Sequence, residues 1–157
     1  MTMRLVTCSL LLIANLTATW ALAAPQNGGL AFSYVVPKDD FAQRVDKGWG
    51  AALIFDYPLA GAFDLVGTAG YYRFSGLDPS SGTSEQGESL SLWELAAGPQ
   101  VDLGVLYLGC DAGYYTDLAE WGLVPNLGLR KKTIDFGLRY KVTDVGRFLA
   151  VRVGMFF

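Results

Sequence analysis

The stretch Arg147-Phe148-Leu149-Ala150-Val151-Arg152-Val153-Gly154-Met155-Phe156-Phe157 closes the 157-residue sequence and sets the pattern for the rest. Leu149, Val151, Val153, Met155 and Phe157 are apolar. The interleaved Phe148, Ala150, Arg152, Gly154 and Phe156 mix a charge, small residues and rings. This is the two-residue period of a β-strand. Two aromatic rings at the frayed end of a strand in water would invite aggregation, whereas the same ending is stable if hydrocarbon bathes one face.

Working back from that strand, the same period recurs seven times. Gly28 to Val36 sets Leu30, Phe32, Tyr34 and Val36 against Gly29, Ala31, Ser33 and Val35, and stops at Pro37, which has no N–H to give a ladder. The charges between Pro37 and Lys47 predict a solvated loop. Trp49 to Tyr57 places Trp49, Ala51, Leu53, Phe55 and Tyr57 on one face, with an amphipathic ring at each end. A tight turn over 58–62 leads to a third strand, Phe63 to Ser75, whose faces stay unassigned because Tyr71 and Tyr72 fall on opposite sides.

Gly76 to Glu88 reads as the longest loop. Leu90 to Asp102 is the fourth strand, with a bulge or strand end expected near Pro99. Val105 to Tyr115, Trp121 to Arg130 and Thr133 to Thr143 complete the set of eight. The second, fourth and sixth connections are short, and the first and third are long. Strands mostly of about nine to eleven residues with this asymmetry of loops fit a transmembrane barrel, and backbone polar groups in lipid oblige such strands to close into a ring.

The totals agree. Of all residues 52% are apolar and only 17% charged, and beyond the N-terminal segment the apolar excess lies in short runs rather than one long span. Arg4, the apolar stretch from Leu5 to Leu16 and the small-residue site Ala21-Leu22-Ala23 predict a secretory signal peptide over residues 1–23, leaving 24–157 as the barrel domain. Removal of that segment takes away Arg4 and Cys8. It leaves 11 basic against 15 acidic residues, a net charge of −4, and Cys110 as the one cysteine. A nucleic-acid partner is not expected from this balance.

Alternation alone does not say which face is inside. The face opposite the apolar one is rich in Gly, Ala, Ser and Thr and lacks the dense Lys, Glu and Gln that solubilise an exposed sheet. It carries Asp56, Glu94, Asp111 and Asp135 against Arg130, Arg139, Lys141 and Arg152. Small residues and balanced charges suit the narrow lumen of an eight-stranded barrel, where an ionic network would fill the interior. The competing reading, a solvated outer face, belongs to a soluble exported barrel similar to the lipocalins.

The sequence contains no histidine, which removes the usual general base and the commonest metal ligand. Glu94 and Asp111 are candidates for a glycosidase carboxylate pair, but neutralisation by Arg139 or Arg152 explains them more simply. Asp39-Asp40 lacks the ligand spacing of a calcium loop. Cys110, among Leu106, Leu108 and Ala112, reads as a packing residue. No catalytic residue, cofactor or metal is assigned.

With its closing strand alternating back from Phe157 through Met155, Val153, Val151 and Leu149, the chain resembles the small bacterial outer-membrane β-barrels of the OmpA-like, OmpX-like and opacity-protein-like group. An aromatic is common in that family where Met155 stands here. The resemblance implies an all-β, eight-stranded antiparallel up-and-down transmembrane β-barrel in the bacterial cell outer membrane. It also implies outer-membrane lipid and lipopolysaccharide as partners, and recognition of the last strand by the barrel-insertion machinery. A non-enzymatic, surface-exposed or structural role follows, with a narrow porin-like channel as the alternative. The known barrel enzymes of that membrane rely on histidine, so their mechanisms do not transfer.

Overall fold

A computed structural model describes residues 27–77, 89–144 and 146–157. The expected signal peptide with Cys8, and most of the expected loop from Gly76 to Glu88, lie outside the described residues. The eight strands are β1 (Asn27–Lys38), β2 (Val45–Ala60), β3 (Phe63–Gly76), β4 (Leu90–Leu103), β5 (Leu106–Tyr115), β6 (Glu120–Lys131), β7 (Ile134–Thr143) and β8 (Arg147–Phe156). A 3-10 helix, η1 (Asp39–Gln43), lies between β1 and β2.

Each strand pairs antiparallel with the next, and β8 returns to β1, so the sheet is a closed up-and-down barrel. The pairing Gly28, Phe55, Gly67, Ala97, Ala112, Leu123, Val142, Arg147 runs once round the ring and arrives at Lys38, ten residues beyond its start. This stagger tilts the strands and closes the barrel without a free edge.

The connections differ at the two ends. Gly61 and Gly104, both at positive φ, make the tight turns after β2 and β4, where an L side chain would be strained. Lys132 takes the same conformation after β6. The longer connections lie at the opposite end.

The structure revises two local expectations and settles a third point left open. The 37–47 loop is shorter than the charge run suggests. β1 continues through Pro37 to Lys38, η1 follows, and Phe41 turns inward to 2% exposure while the charged residues around it stay in solvent. No bulge or strand end occurs at Pro99, since β4 runs on to Leu103. Instead the β4–β5 ladder skips from Ala97↔Ala112 to Gln100↔Gly109 with its register unchanged. The missing proline N–H falls in that gap. Gly98 lets the Cys110 carbonyl come so close that a Cβ would lie 2.2 Å from it.

Pro125 is handled the same way. The β6–β7 ladder skips from Leu123↔Val142 to Asn126↔Arg139, and Asn126 Nδ2 donates to the Val124 carbonyl at 3.2 Å. Bulges lie instead between β2 and β3, at Val45/Gly48 and Pro58/Ala60. Finally, the faces of β3 are now assigned: Val66, Thr68, Tyr72 and Phe74 point into the barrel.

The sense of the alternation is apolar outward along every strand. Phe32, Trp93, Leu95, Trp121, Leu123, Phe136 and Met155 are each more than half exposed, while Asp135 and Lys141 are at 0%. The largest buried apolar cluster sits at the loop end, where Phe41, Phe74 and Phe148 pack with centroids 5.2 to 5.9 Å apart. A smaller cluster of Ala31, Ile54, Val66 and Phe156 lines the other half of the barrel.

Candidate functional site

The charged side chains of the interior come from inward positions on β2 and β4 to β8, with Tyr72 added from β3, each placed there by the two-residue period. All eight charges expected in the lumen are there, and every one takes part in an ion pair. They separate into two clusters that share no residue.

In the cluster nearer the loop end, Glu94 is the hub. Its Oε2 accepts from Lys141 Nζ at 2.6 Å, from the Tyr72 hydroxyl at 2.9 Å and from Arg139 Nη1 at 3.4 Å, while Oε1 accepts from the Tyr115 hydroxyl at 3.1 Å. Arg139 Nη2 also donates to Asp111 at 2.6 Å. The Lys141 ammonium lies 3.7 Å from the Tyr72 ring centroid, so the ring adds a cation–π contact to the ion pair.

Asp135 is the hub of the second cluster. It accepts from Arg152 Nε at 3.2 Å, from Arg130 Nε at 3.3 Å and from the Tyr107 hydroxyl at 3.3 Å. Arg130 reaches on to Asp56, and Arg152 Nη2 donates to the Tyr107 oxygen at 2.8 Å. The Arg130 guanidinium also stacks 4.0 Å from the Phe156 ring centroid.

The glycines of the inner face make room for these reaches. A Cβ on Gly50 would sit 2.3 Å from the Tyr72 ring, and Cβ atoms on Gly128 and Gly137 would sit 2.3 and 2.5 Å from the Tyr107 hydroxyl. Each tyrosine thus lies across bare backbone to meet its carboxylate.

This arrangement bears on the candidate chemistry. Arg139 bridges Glu94 and Asp111, and with Lys141 on Glu94 the two carboxylates are matched by two cations. Arg152, the other expected neutraliser, serves Asp135 instead. Asp39 and Asp40 are exposed, with Asp39 paired to Arg147 at 3.4 Å. Cys110 is free and exposed on the outer face.

Sequence reasoning missed the role of the lumen tyrosines as donors and that of Phe41 as a plug. The two-residue period of β5 puts Tyr107 and Tyr115 on the same face as Asp111, and the register partner Gly50 marks the room for Tyr72. Phe41 lies within η1, outside any strand period, and carries no such signal. A comparison with protein-family models finds no match, and one with curated proteins finds none either.

Proposed function

We propose that this chain is a non-enzymatic integral protein of the bacterial outer membrane, its barrel closed to solutes by the interior ion pairs and its longer loops presented to the outside. The observation that carries the reading is the inverted polarity. A continuous apolar outer surface surrounds a lumen in which all eight charges are paired. Water would leave that surface as one apolar patch far beyond what soluble monomers tolerate, whereas hydrocarbon is its natural solvent.

A band of rings supports the placement. Tyr71 of β3 contacts Trp49 of β2 and Trp93 of β4, and Tyr114 contacts Trp121 across β5 and β6, all on the outer face toward the loop end. Amphipathic rings concentrate where lipid headgroups meet water. A soluble binding barrel would need its apolar side chains around a central cavity, and here much of that space is taken by ion-paired side chains and tyrosines.

The test is fractionation. The protein is expected in the outer-membrane fraction after salt and urea washes, and its band is expected to shift when the detergent sample is boiled. Recovery of folded protein from the aqueous periplasmic fraction would refute the reading.

A further inference from the structure

Resting on the membrane reading, we propose a binding notch for one anionic glycerophospholipid at the tight-turn end of the barrel, between the β4–β5 and β6–β7 turns. Val105, Leu129, Ile134 and Phe136 form its apolar walls, and Lys131 and Lys132 stand at its mouth. Its volume is about 470 Å³, within the ~300–1,000 Å³ of ordinary ligand clefts. The Val105 carbonyl accepts from the Arg130 amide at 2.7 Å, which ties the β4–β5 turn to β6 and fixes one wall.

The occupant follows from two features. The apolar walls continue without a break into the outer face at Leu127, Leu138 and Val153, all at least two-fifths exposed. A ligand seated here therefore needs a chain that runs on into hydrocarbon, which a lipid has and a soluble peptide lacks. At the mouth both lysines are exposed, and among the described residues neither forms an ion pair. Of the acids at this end, Asp56 and Asp135 are committed to Arg130 inside the lumen, and Asp64 and Asp102 lie half-buried on the inner face of β3 and β4, on the other side of the wall from the notch. Two unneutralised ammonium groups beside an apolar slot match a phosphate on a diacylglycerol. A zwitterionic headgroup would bring its own cation against them.

The probe is phosphatidylglycerol in mixed bilayers with phosphatidylcholine, with co-purified lipid counted by native mass spectrometry. The wild-type barrel should retain phosphatidylglycerol in preference to phosphatidylcholine. K131Q/K132Q should lower that preference by about twenty-five-fold, each lysine favouring an anionic lipid about five-fold. K38Q/R44Q, at the opposite end, should leave it unchanged. Equal retention of both lipids, an unaltered preference in K131Q/K132Q, or displacement of the lipid by inorganic phosphate would overturn the notch. A barrel that inserts and shows the heat-dependent band shift but has no lipid preference loses only this proposal. Failure to insert removes the membrane reading as well.

Discussion

At the scale of single residues, the interior is governed by the cost of an unpaired buried charge. Glu94 holds Lys141, Arg139 and two tyrosine hydroxyls at once, so Glu94→Gln leaves an ammonium and a guanidinium short of a counter-charge. Loss of about 3–5 kcal/mol is expected in urea unfolding from detergent micelles. Asp39→Asn, at the exposed pair with Arg147, should cost under about 1 kcal/mol in the same assay. Near-equal losses would mean that the lumen is hydrated enough to screen its charges. The identity of the eight lumen charges was legible in the sequence, because parity along a strand fixes the face. Their partners were not, since which acid meets which base depends on the stagger between strands far apart in the chain.

At the scale of the strands, the prolines and glycines are the informative residues. Pro99 alone predicts an interruption, but Gly98 beside it removes the obstacle by letting β5 approach. Gly98→Ala pushes a methyl into the Cys110 carbonyl, a backbone atom with nowhere to move, and should cost about 1–3 kcal/mol. Gly67→Ala, on the outer face with its nearest neighbour 3.9 Å away, should change stability by about 0.5 kcal/mol or less. Thermal unfolding of both variants checks the contrast, and equal shifts would show that β4 and β5 adjust around the added atom. Strand number and order were readable from periodicity and turns. The inward fold of η1 was not, because charges dominate that segment and Phe41 is its one large apolar residue.

At the scale of the whole molecule, the barrel has a hydrophobic stopper of Phe41, Phe74 and Phe148 near the loop end and two ionic clusters within it. On the proposed reading both fill the path a hydrated ion would take, so planar-bilayer recordings of the wild-type protein should be silent. Steady conductance steps would contradict a closed lumen. The central claim, that the outer surface is bathed in hydrocarbon, is tested most directly at Cys110, which is exposed on the outer face near the middle of the barrel wall. A fluorophore attached there, in a chain carrying Cys8→Ser and reconstituted in vesicles, should be quenched by bromine on lipid acyl chains and spared by iodide in the buffer. Quenching by iodide with no response to brominated lipid would place that surface in water and contradict the account.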